Sequence, residues 1–169
     1  PIGQTFPPEH ESFDDPLTGV TVHRWTNYLG HSHHAYFTNN AWHDEGRRLV
    51  IASHREGAAN LFSLEFAAGE LTQLTDLEQL GGASRSELLR TAVNTARDEA
   101  YFSCNGQVCA VNLSTLEPRV LARTPDGHQI SMLNPTCDGR YVCYGVSEDR
   151  RTVRREAAGY VGFEENWAA

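Results

Sequence analysis

Asp44-Glu45-Gly46-Arg47-Arg48-Leu49-Val50-Ile51-Ala52 is a tight turn that runs straight into an apolar strand. Asp138-Gly139-Arg140-Tyr141-Val142-Cys143-Tyr144 repeats the same grammar, and Ala96-Arg97-Asp98-Glu99-Ala100-Tyr101-Phe102 is a degenerate copy without the Gly. Asp followed by Gly supplies a turn at low steric cost, and β-branched and aromatic residues suit the pleated strand that follows. Downstream of the first copy come Asn60-Leu61-Phe62-Ser63-Leu64, Gly69-Glu70 and Leu71-Thr72-Gln73-Leu74-Thr75. Downstream of the copy at Asp98 come Val108-Cys109-Ala110-Val111-Asn112-Leu113, Thr115-Leu116-Glu117 and Arg119-Val120-Leu121. A further strand precedes each turn: Ala35 to Thr38, Arg90 to Val93, and Gln129 to Met132.

Each unit therefore reads strand, turn, strand, loop, strand, turn, strand, and recurs roughly every 40 to 50 residues, the length of a four-stranded propeller blade. The fold class is all-β, and the architecture is a partial β-propeller. The opening strand of each unit is expected nearest the central axis, and Leu71 to Leu74 is expected as an outer strand. The organisation is an extended N-terminal segment over 1–30, then blade-like repeats over about 31–80, 88–125 and 128–169. About three blades fit, whereas propellers close with four to eight. A blade buries its faces only against neighbouring blades, so the chain is expected to be part of a longer one. It begins at Pro1 and stops at Asn166-Trp167-Ala168-Ala169 without a terminal feature. Helical periodicity is confined to Gly82 through Arg90. The residues expected in the core are Tyr36, Phe37, Leu49, Ile51, Leu61, Phe62, Leu64, Tyr101, Phe102, Val111, Leu113, Val142 and Tyr144.

Composition narrows the function classes. The 169 residues carry 14 basic and 22 acidic side chains, for a net charge of −8. That disfavours a nucleic-acid partner, which asks for a basic face, yet leaves room for an anionic ligand at a local positive patch. All 14 basic residues are Arg, so no Lys is present to act as a base or Schiff-base former. No apolar run reaches the length of a membrane span. No signal peptide is visible, and a cytoplasmic location is expected. Cys104, Cys109, Cys137 and Cys143 form no CxxC pair, which argues against a zinc knuckle and for free thiols.

The residues that could carry chemistry are few. His31-Ser32-His33-His34-Ala35-Tyr36-Phe37 places three imidazoles just before the expected inner strand of the first blade. Imidazole can bind a metal or move a proton near neutral pH; equally, such residues can cap a turn, pack or face solvent. The segment is expected to lie in the loop, with His33 and Tyr36 toward the channel. Arg90, at the start of an inner strand, can offer a guanidinium to a carboxylate, or can form a structural ion pair. Arg150, Arg151, Arg154 and Arg155 read as a solvated basic loop. No P-loop, GxGxxG, nucleophile elbow or HExxH is present.

Phe6-Pro7-Pro8-Glu9, Asp15-Pro16-Leu17-Thr18-Gly19-Val20-Thr21-Val22 and Gly30-His31-Ser32-His33-His34-Ala35-Tyr36-Phe37-Thr38-Asn39 resemble the opening of the oligogalacturonate lyase family. Gly69-Glu70-Leu71-Thr72-Gln73-Leu74-Thr75-Asp76 fits as well, though translocation-protein-B-like propellers share its Thr-Gln-Leu-Thr-Asp string. The resemblance implies a seven-bladed propeller that splits short galacturonides from pectin by β-elimination. It further implies a manganese-type divalent ion held by His and Gln, a His base and an assisting Arg, all on later blades beyond Ala169. On that reading no catalytic residue or metal ligand lies in this stretch. His33, His34, Tyr36 and Arg90 are its substrate-binding candidates, the substrate being an oligogalacturonide and the partners the remaining blades. A non-catalytic propeller that binds a ligand or protein is the other class.

Overall fold

The computed structural model describes residues 1–148. In chain order its elements are β1 (Thr5–Phe6), β2 (Glu11–Asp14), β3 (Thr21–Arg24), β4 (Ser32–His34), β5 (Trp42–His43), β6 (Arg48–Arg55), β7 (Ala58–Glu65) and β8 (Leu71–Gln73). A single-turn helix α1 (Arg85–Leu88) follows, then β9 (Ala92–Asn94), β10 (Glu99–Cys104), β11 (Gln107–Asn112), β12 (Pro118–Arg123), β13 (His128–Pro135) and β14 (Val142–Glu148). The strands build three successive antiparallel sheets, ordered β1-β8-β7-β6-β4 with β5 also on β6, then β12-β11-β10-β9, then β13-β14. The hairpin β2-β3 stands apart from them. These are propeller blades, the third described only through its first two strands. Arg150, Arg151, Arg154 and Arg155 lie outside the described residues.

The hairpins follow from local backbone chemistry. Asn105 and Gly106 both hold positive φ, 47° and 70°, and join β10 to β11 with Cys104 opposite Gln107. That is the left-handed two-residue turn whose twist matches the flanking strands. Glu56 and Gly57 do the same between β6 and β7.

Strand alternation then sends each sheet's apolar residues to two faces. Val50, Ala52 and Leu61 of the first sheet pack with Val93, Phe102, Cys104 and Val111 of the second. Ala92, Tyr101, Val108 and Ala110 on the second sheet's other face meet Ile130 and Leu133 of the third. The first sheet's outward face, Ile51, Phe62, Leu64 and Leu71, is packed against Phe6 and Trp25 from the N-terminal segment.

Several expectations need correction. The inner strand of the first sheet is not Ala35 to Thr38. Ser32, His33 and His34 of the HSHH stretch pair, His33 opposite Ala52 and His34 opposite Ile51, so these three form β4 and do not lie in a loop, while His31 precedes the strand. The chain leaves the sheet after His34 because its next backbone groups find partners on the second blade: Tyr36 N donates to Leu89 O, between α1 and β9, at 2.6 Å, and Val93 N of β9 donates to Asn40 O at 2.7 Å. It returns as β5. Consequently Phe37 is 79% exposed and Tyr36 half-buried. Leu49, Leu113 and Val142 are also half-buried, and Tyr144 is exposed because it lies on a strand pair at the end of the described stack. The second sheet opens at Ala92, after Arg90. Leu71 to Gln73 is not the outermost strand, because Thr5 and Phe6 pair outside it with Thr72 and Leu71.

Candidate functional site

Residues 35–41, which interrupt the inner strand between β4 and β5, form one wall of a cleft where three sheets meet. Its volume is about 230 Å³, and its lining is Tyr36, Asn39, Leu89, Arg90, Met132 and Asn134. The Asn39 amide holds the three sheets together there. Its Nδ2 lies 3.1 Å from Arg90 O, 3.2 Å from Thr91 O and 3.1 Å from Leu133 O. Asn134 Nδ2 donates back to Asn39 Oδ1 at 2.8 Å. The register of β13 against β14 slips between Ser131 and Leu133, and Met132 takes φ 47°. Such a bulge re-aims one side chain out of the ladder, and Met132 lines the cleft while remaining 66% exposed.

Arg90 supplies the cleft's charge. Its Nη1 donates to Ile130 O at 2.8 Å, which fixes the guanidinium by one edge. A guanidinium carries five N–H donors in a planar fork. Among the described residues no acidic side chain forms an ion pair with Arg90. The cleft thus combines a cation, a phenol, two amides and a thioether, a set suited to an anionic, hydroxylated ligand.

Of the four residues singled out from sequence, the structure brings Tyr36 and Arg90 together in this cleft. His33 and His34 are not in its lining. His33 shares a face with His31 and His54: the His31 ring centroid is 5.4 Å from that of His33 and 6.3 Å from that of His54. His54 N donates to His31 O, which sets the two side by side. His34 lies on the opposite face, its Nδ1 against Ala35 O. Sequence reading missed Asn39, Met132, Asn134 and His54. Only His54 had a usable signal, since pairing Ser32 with Ser53 carries His31 to His54.

A larger cleft of about 890 Å³ lies between turns of the first two sheets, with Asp44, Glu45, Asp98, His43 and Arg48 among its lining. Burial holds the His43 imidazole below its ordinary pKa, with Asp98 opposing and Arg48 reinforcing the effect. Its Nε2 pairs with Ser63 Oγ at 3.0 Å. Three carboxylates against one guanidinium make this cleft repel an anion. Among the described residues no three His, Cys, Asp or Glu side chains come together to hold a metal ion.

No protein-family model matches the sequence, and no curated protein matches it. Solved structures do match. An oligogalacturonate lyase from Vibrio parahaemolyticus overlays with a TM-score of 0.71 at 21% identity, over 82% of this chain and 36% of that one. An oligogalacturonate lyase in complex with manganese gives a TM-score of 0.71 at 22% identity, again over 82% and 36%. TolB from Acinetobacter baumannii, at 12% identity and a TM-score of 0.39 over 86% and 55%, is too loose an overlay to carry an argument. The chain therefore has the β-propeller fold of the oligogalacturonate lyases over 82% of its length, and spans about a third of theirs.

Proposed function

We propose that this chain is the substrate-holding portion of an oligogalacturonate lyase, and that the three-sheet cleft takes a galacturonate residue. The observation that supports it best is Arg90, a guanidinium fixed by one edge in a cleft walled by Tyr36 and Asn134. A uronate offers a carboxylate to the guanidinium and hydroxyls to the phenol and amide. In a β-elimination the proton beside the carboxylate is removed and negative charge grows on that carboxylate, so a cation held against it lowers the barrier. Arg90 is the residue of this chain that would do so, with Tyr36 orienting the ring. His34 and His33, two and three residues upstream of Tyr36, point to opposite faces of β4, so at most one of them would border the same substrate.

The described residues do not fit the manganese carried by one lyase of this fold, because no three suitable side chains converge. No step is therefore assigned to a metal on this chain.

The test is to assay the complete reading frame for unsaturated product from digalacturonate. Arg90→Ala should lower kcat/KM by roughly tenfold to a hundredfold, with kcat falling as well as KM rising, from about 1.5–3 kcal/mol for a hydrogen bond to a charged group, and Arg90→Lys should recover part of it. His33→Ala and His34→Ala in the same assay show whether either imidazole reaches the substrate. No unsaturated product from the complete protein supplied with manganese would leave a non-catalytic binding propeller.

A further inference from the structure

The hairpin β2-β3 carries a side-chain cluster that the lyase reading does not use. Ser12 sits opposite His23, with its Oγ 2.8 Å from His23 Nδ1 and 3.0 Å from His10 Nε2. The two imidazole nitrogens are themselves 3.4 Å apart. A tetrahedral zinc ion with Zn–N bonds of about 2.0–2.1 Å holds two of its nitrogens about 3.3–3.4 Å from each other. The His10 and His23 nitrogens are already spaced as two corners of such a tetrahedron. One ring presents Nε2 and the other Nδ1, which lets side chains from opposite arms of the hairpin reach one point.

The rings are also held in place. His10 stacks on Trp25 with centroids 4.3 Å apart and planes 21° from parallel, and Trp25 packs edge-on against Phe66 at 4.6 Å. Alternation puts Asp14 on the same face of the hairpin, where it accepts from Thr21 Oγ1 at 2.8 Å. The Arg24–Glu11 ion pair belongs to the opposite face. The hairpin charge that alternation places on the cluster's own face is therefore negative, and His10, Ser12 and His23 are all exposed, so an ion needs no opening of the fold.

We propose that His10 and His23 form a two-histidine site for a borderline divalent cation of the zinc or copper class, the Ser12 hydroxyl that now bonds both rings turning aside to admit the ion. Imidazole nitrogen selects zinc, copper and nickel, whereas magnesium, calcium and manganese favour oxygen. Two coordination positions remain open to water or a further ligand. The competing account is a hydrogen-bonded trio, the Ser12 hydroxyl donating to one ring and accepting from the other.

Titration calorimetry of the full chain with Zn²⁺ separates the two. One ion should bind per chain, manganese should not displace it, and His10→Ala and His23→Ala should each weaken binding by about tenfold or more. Cu²⁺ at the same site should quench Trp25, with the quench lost in Trp25→Phe. No stoichiometric binding by the unaltered chain, or binding by both His variants as tight as that of the unaltered chain, overturns the site. Imidazole NMR of the unaltered chain needs no variant: Zn²⁺ shifts at His10 and His23 support the site, and shifts confined to the other six of the eight His overturn it.

Discussion

Asn134 Nδ2 donates to Asn39 Oδ1 at 2.8 Å, tying residues 95 positions apart in the chain. The same Asn39 amide reaches carbonyls at Arg90, Thr91 and Leu133, so one side chain joins three sheets. Asn39→Ala should destabilise the fold by about 1–3 kcal/mol, since it strands acceptors that have lost a donor. Asn39→Ala and Asn134→Ala should be non-additive in denaturant unfolding, because they remove one shared bond. Strictly additive costs would show that the two side chains act independently.

Glu9 and Arg55 give a pH signature. Arg55 Nη1 lies 2.8 Å from Glu9 Oε1, and the Arg55 side chain is 2% exposed, with its guanidinium 4.8 Å from the Tyr28 ring centroid. Burial pushes the Glu9 carboxyl up, but hydrogen bonds from Arg55, Asn27 N and Tyr28 N, with the Arg55 charge, outweigh it and hold the group below its ordinary value of 4.5. A depressed folded pKa means stability that is fully present above the unfolded value and lost as pH falls through the folded one. Urea midpoints should therefore drop on acidification below about pH 4.5, and Glu9→Gln should flatten that limb. At neutral pH, Glu9→Ala should cost about 3–5 kcal/mol, the penalty for leaving Arg55 buried and unpaired. Parallel acid limbs for the unaltered chain and Glu9→Gln would count against this pair.

Thiol labelling should divide the four cysteines in two. Burial pushes the Cys104 thiol up to about 12 and the Cys109 thiol up to about 11, while Cys137 and Cys143 are exposed. The thiolate is the reactive form. An Ellman titration of the folded chain should count two groups, rising to four in denaturant. Labelling of Cys104 before unfolding would contradict the packing of the first sheet against the second.

The blade repeat was legible because it rests on local chemistry. Asn105-Gly106 dictates a left-handed turn, and alternation around Ala100, Phe102, Val111 and Val108 dictates two apolar faces. The path of residues 35–41 was not legible. Ala-Tyr-Phe-Thr has strand propensity, yet the backbone of Tyr36 and Asn40 bonds to Leu89, just before the second sheet, and to Val93 within it, a tertiary preference that no local pattern records. The same holds for Thr5–Phe6, a two-residue strand defined only by Leu71 and Thr72 far along the chain. For the cleft, Arg90 and Tyr36 could be chosen by chemistry, whereas Asn39, Met132 and Asn134 needed the blades to be placed side by side.

The pairing of Thr5–Phe6 with Leu71 and Thr72 bears on order of synthesis. The residues that cover the rim of the first blade leave the ribosome before the strand they dock on, which is made some sixty-five residues later. Until then the nascent segment must wait unpaired. Once Leu71 has emerged, the segment caps a row of backbone donors and acceptors that would otherwise template pairing with a neighbouring chain. A tag or truncation that displaces Thr5 and Phe6 would thus turn a finished rim into a seed for self-association.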